Sequence, residues 1–192
     1  MTTIDFEQIK NEWRALSMEN AALKQKNIDL TRRLVSERVT NNQQKLARSY
    51  RIGYMGCFAF PLLAYFGLYL IVKASIGLCV FYSLYGIILG SFDIWFMSFI
   101  RKADYPSMST VNALQHAKKV VIYQNWANIG SIIGCIILCI PLFYEFSQKD
   151  NEGLIIGGIA GGIIGGIFGA IKCIKNHQLA RRMVAELKTI EE

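Results

Sequence analysis

One carboxylate lies deep in an apolar run: Asp93, in "LGSFDIWFMSFI". It is the residue of this sequence best placed to do chemistry. An ionised acid inside a bilayer is costly, so a retained one marks a proton or cation path, or a partner for another polar group. Asp93 lies seven residues before Ile100, about 10 Å along a helix rising 1.5 Å per residue. At about the same depth on a later apolar segment, "YQNWANIG" supplies Gln124, Asn125 and Asn128. Asn125 and Asn128, three apart, share a helix face, and Tyr54 stands at the inner end of the first apolar run. The expectation is an intramembrane polar cluster of Asp93, Asn125 and Asn128 in the inner leaflet. Two roles are open to it. One is a proton- or cation-sensitive site. The other is a hydrogen-bonded clasp between helices, or an Asp93 that snorkels toward Arg101 and Lys102. The clasp is the favoured reading, because transporters usually have more spans and repeated halves.

The remaining reactive residue types form no constellation. His116 and His177 stand alone, without metal-ligand spacing. The five cysteines (Cys57, Cys79, Cys135, Cys139 and Cys173) lie in or at the edge of apolar runs. Cys135 and Cys139 lack the two-residue spacer of thiol redox motifs, so buried free thiols are expected. There is no phosphate loop, no nucleophile with a base and no pair of catalytic carboxylates. We expect no enzyme, no metal site and no cofactor.

The elements that must hold Asp93 are membrane spans. The 192 residues are 53% hydrophobic and 18% charged, against about 25% charged in soluble domains. Between Ile52 and Ile100 the only charged residues are Lys73 and Asp93. A bilayer core of about 30 Å takes about 20 apolar residues as a helix. Four segments qualify: Ile52–Val72, Ile76–Ile100, about Trp126–Phe146, and Leu154–Ile174. The link Lys73–Ser75 makes the first two an antiparallel hairpin. Pro61 should kink the first span by freeing the carbonyl of Cys57. No short apolar core ending in small residues precedes them, so no signal peptide is expected. Basic residues stay on the cytoplasmic side. With the N-terminus inside, the inner segments carry 19 of the 21 Lys and Arg, leaving Lys73 and Lys149 outside. Both termini are therefore expected in the cytoplasm. Trp95 and Trp126 fall at the inner ends of their spans, where aromatic belts form.

The fourth span, "GLIIGGIAGGIIGGIFGAIK", carries Gly157, Gly161, Gly165 and Gly169 at every fourth position, with Gly158, Gly162 and Gly166 beside them. Small residues at this spacing let helix backbones approach closely in lipid. The expected contact is a glycine zipper, either inside the bundle or onto a second copy.

Residues 1–51 read as a cytoplasmic head, with "DFEQ" as a capping box of Asp5 and Gln8. Ile9, Leu16, Leu23 and Leu30 recur every seven residues and fit heptad position d. Position a then holds Trp13, Asn20, Asn27 and Leu34. Leu at d with Asn at a specifies a parallel dimer, the paired Asn fixing register. Glu19 would pair with Lys24 of the partner helix, while Arg33 and Arg38 would repel, loosening the zipper toward the membrane. The competing readings are a helix lying on the chain's own membrane domain and one binding a different helical protein. Arg32, Arg33, Arg38, Lys45, Arg48 and Arg51 abut the bilayer and suit anionic headgroups, so nucleic acid is not expected. Val111, Leu114 and Val121 suggest a short interfacial helix in the inner loop. The tail 175–192 places Leu179, Met183, Leu187 and Ile190 on one helical face that could pack against the head.

The segment "IKNEWRAL" (Ile9–Leu16), a helical head and four apolar spans together resemble small four-span membrane proteins of gut Bacteroidota. Some of those look to be encoded beside sigma-factor regulatory genes. The resemblance implies a bacterial inner-membrane protein with a regulatory or structural partner, and it assigns no activity or functional residue. The reading is an all-α polytopic membrane protein in three parts: a head 1–51, a four-helix membrane domain 52–174 and a tail 175–192. It would be an oligomeric scaffold or regulatory module, with membrane lipids and a cytoplasmic protein as further partners. The alternative is a small channel or transporter around Asp93.

Overall fold

The computed structural model describes residues 6–148 and 152–191. The capping box of Asp5 and Gln8, and Lys149, lie outside the described residues or side chains. Four long helices make up the chain: α1 (Phe6–Leu63), α2 (Ile76–Arg101), α3 (Thr110–Ser147) and α4 (Glu152–Glu191). No strand occurs among the described residues. All four helices are long and apolar enough to cross a membrane, which makes this a multi-pass membrane protein by architecture. α1 packs along α2 and α4, α3 packs along α4, and the contact between α2 and α3 is thin.

No proline interrupts α1 before Pro61, so head and first span form one helix of 58 residues. Pro61 has no N–H for the carbonyl of Cys57. Three residues later the chain widens into a π-helix, Ala64–Ile71. The turn of the hairpin needs a left-handed residue, and Lys73 supplies it at φ 54°. Outside glycine that conformation costs roughly 1–2 kcal/mol. Ser75 then caps α2, its side chain accepting from the N–H of Leu78. Across the same end, Glu145 of α3 accepts from the Ser75 N–H at 2.9 Å and from its hydroxyl at 3.0 Å. A carboxylate beside a helix N-terminus is favourable, so this contact ties the hairpin to α3.

The hairpin is closed by glycines of α2. A Cβ on Gly86 would lie 2.5 Å from Cβ of Phe60 and 2.8 Å from the carbonyl oxygen of Cys57, the acceptor freed by Pro61. A Cβ on Gly90 would lie 3.1 Å from the Phe58 ring. "GIILG" is thus the small-residue face along which α2 meets α1. On α3, Gly134 receives the ring of Tyr85 in the same way.

The close-packed core lies at the basal end of the bundle, outside the four apolar runs for the most part. Val35, Val39, Leu46 and Tyr50 of α1 meet Phe96 and Ile100 of α2, Leu114 and Val120 of α3, and Met183 and Leu187 of α4. Gln43 donates to the carbonyls of Ile100 at 2.6 Å and Ala103 at 2.9 Å, capping the C-terminus of α2 from inside the core. Tyr50 meets Phe96 edge to face with centroids 4.8 Å apart. Charge places a boundary at residue 51, but packing does not, because residues 35–50 and 176–190 belong to one core. The tail continues α4 and packs on α1 with Met183 and Leu187 inward, and Arg38 faces Glu186 at 3.7 Å. The loop between α2 and α3 holds no separate helix, so the expected short interfacial helix is absent there. Thr110 begins α3, capped by Ser109, and its buried face is Ala113, Leu114, Ala117, Val120 and Gln124.

Candidate functional site

Asp93 lies near a cation, without a direct ion pair between them among the described residues. A Cβ on Gly53 of α1 would stand 2.5 Å from Oδ2 of Asp93 and 3.0 Å from Nζ of Lys172 on α4. Three helices therefore converge on a glycine whose missing side chain makes room for both charges. Lys172 was legible as a partner. It is the only Lys or Arg inside the four apolar spans read from the sequence, and a lone intramembrane acid calls for a counter-charge on another helix.

The asparagines go elsewhere. Gln124, fully buried, links two neighbours: it accepts from the Tyr50 hydroxyl at 2.7 Å and donates to Asn128 Oδ1 at 2.9 Å. Asn176 of α4 is buried next to Tyr50. Asn125 faces outward. Asp93 makes no hydrogen bond to Asn125 or Asn128 among the described residues. The expected trio of Asp93, Asn125 and Asn128 is thus not brought together: Asp93 lies near Lys172, Asn128 joins a hydrogen-bonded chain, and Asn125 faces outward. The reason is rotational. One step along α3 turns the side chain about 100°, so Gln124 rather than Asn125 faces α1. Burial raises the Tyr50 phenol above its ordinary pKa, so it donates to Gln124 across the physiological range.

His116 is half-buried. Its ring stacks on Phe99 at 4.8 Å and its Nδ1 lies 3.1 Å from the Tyr105 hydroxyl. Burial lowers its pKa from the ordinary 6.5. No group of three or more metal-ligating side chains occurs among the described residues.

The zipper residues Ile9, Trp13, Leu16, Asn20, Leu23, Asn27, Leu30 and Leu34 are all exposed, Trp13 at 73% and Leu16 at 61%. Burial on α1 begins at Val35. The glycine rows of α4 are open as well. A Cβ on Gly157, Gly161, Gly165 or Gly169 would meet nothing within 4 Å. Only Gly158 touches a neighbour, the ring of Phe146. The small-residue pair that does meet another helix is Gly86 and Gly90, a motif of the same spacing that the density of glycine in α4 overshadowed.

A bundle of four membrane-length helices with a basal core is the class of protein that these features define. Compared with protein-family models, with curated proteins and with solved structures, the chain matches none.

Proposed function

We propose that this protein is an oligomeric scaffold or regulatory module of a bacterial inner membrane, presenting a coiled-coil head to the cytoplasm. The observation that carries this reading is the exposed seam of α1. The helix extends about 43 Å beyond Val35 at 1.5 Å per residue, and Leu16, Leu23 and Leu30 lie bare along it. A lone helix of that length gains little from propensity alone, and a leucine seam with Asn at alternate layers is suited to a parallel partner helix. A second copy is the first candidate, and another helical protein the second. Because head and basal core share one helix, pairing at the seam is mechanically joined to the membrane domain. The 19-to-2 division of basic residues supports cytoplasmic termini.

The test is the mass of the full chain in detergent micelles by light scattering. A dimer or higher oligomer is expected for the wild type. Leu16→Asp with Leu23→Asp should dissociate it, while Asn20→Ile with Asn27→Ile should tighten it and can change its stoichiometry. A wild type that stays monomeric up to high concentration would refute self-association through the head. A channel or transporter around Asp93 is less well supported, because the cation Lys172 lies close to Asp93 and Asn125 points away.

A further inference from the structure

Between α3 and α4, on the side of the bundle that the glycine rows leave open, runs a groove of about 970 Å³. Its two ends differ in chemistry. The floor is apolar and flat, made by Ile132 and Ile136 of α3 and by Gly165 and Gly169 of α4. The basal end is lined by His177, Arg181 and Arg182. Arg181 and Arg182 are exposed and carry no ion pair among the described residues. They also border a second crevice, which adds Lys118 and Lys188. No acidic residue lines either space. Nδ1 of His177 is sheltered from solvent and has no hydrogen-bond partner.

We propose that this groove seats one anionic phospholipid from the leaflet on the basal side. Its phosphate would lie at Arg181 and Arg182, and an acyl chain along the glycine floor. Length supports the match. From Gly165 to Arg181 is sixteen residues, about 24 Å of helix, against about 20–22 Å for one leaflet with its headgroups. Charge selects the occupant. A second copy docked face to face on this groove would bring two sets of Arg181 and Arg182 together. An anionic headgroup supplies the missing negative charge, and basic pockets between membrane helices are suited to such headgroups. The glycines then have a purpose that requires no protein partner: without Cβ atoms, α4 offers an acyl chain a smooth channel. The proposal does not depend on whether the head dimerises.

The experiment titrates the delipidated full chain in detergent with phosphatidylglycerol, and separately with phosphatidylcholine of the same acyl chains, reading bound lipid by native mass spectrometry. The wild type should bind phosphatidylglycerol more tightly. Arg181→Gln with Arg182→Gln should weaken it about 30-fold, from roughly fivefold per basic residue near a surface, and weaken phosphatidylcholine, whose phosphate is offset by its own choline, far less. Gly169→Leu, whose Cβ enters open space and whose side chain fills the floor, should weaken both lipids. Lys24→Gln with Lys26→Gln on the head should change neither. Inorganic phosphate and glycerol phosphate should fail to compete at equal concentration. Equal binding of the two lipids by the wild type would overturn the proposal. So would an unaffected double arginine variant, an unaffected Gly169→Leu, or competition by free phosphate.

Discussion

Gly86→Ala adds one methyl group where none fits. The new Cβ would sit 2.5 Å from Cβ of Phe60 and 2.8 Å from the Cys57 carbonyl oxygen, against about 3.5–4.0 Å for comfortable carbon contact. Neither neighbour can rotate away, since one is backbone and the other is fixed to it. The helices must part by about 1 Å or bend. Overpacking of this kind costs typically 1–3 kcal/mol, and the rigidity of the neighbours places it in the upper half of that range. Alanine is also the better helix former by up to about 1 kcal/mol. Gly161→Ala isolates that second effect, because its Cβ enters open space. Subtracting one variant from the other cancels propensity and leaves about 2–3 kcal/mol of steric cost at Gly86. Reversible unfolding in mixed micelles, titrated with a denaturing detergent and followed by tryptophan fluorescence, measures both variants. Equal stabilities for the two variants, or a Gly86→Ala as stable as the wild type, would refute the packing assigned to "GIILG".

Asp93 and Lys172 should be coupled through their common seat on Gly53. Asp93→Asn and Lys172→Met should each destabilise the bundle. The double variant should lose less than the sum, with a coupling of roughly 1 kcal/mol; strict additivity would show that the charges do not sense each other. His116 should make the basal core acid-sensitive. Its folded pKa lies below 6.5 because burial disfavours the charged ring, so the unfolded chain takes up a proton first. Its contribution is then flat above that pH, and stability falls as the pH drops through it toward the folded value. The melting temperature of His116→Asn should therefore fall less over that interval than the wild type's, and parallel profiles would argue against a shifted His116. Topology is checked by cysteine labelling in a background without the native thiols. Ser147→Cys should react with an impermeant maleimide from outside, and Thr189→Cys only after permeabilisation; the reverse would overturn the cytoplasmic termini.

Local chemistry, carried within each segment, settled the elements before any fold was known. Hydrophobic runs of membrane length marked the four spans, and Pro61 marked where α1 departs from regular geometry. The absence of breakers joined the head to the first span. The heptad at Ile9–Leu34 was visible because its period belongs to one helix alone. The pairing of faces was another matter. Gly86 and Gly90 have the same spacing as Gly161 and Gly165, yet only the former meet a neighbour. Whether a small-residue face is used depends on the rotation of its helix relative to another that is distant in sequence. The same phase put Gln124 rather than Asn125 inward, set Lys172 against Asp93, and drew Gln43 from a polar run into the core as a cap. Periodicity fixes which residues share a face. Only the assembled bundle, where every buried polar group must find a partner, decides what each face meets.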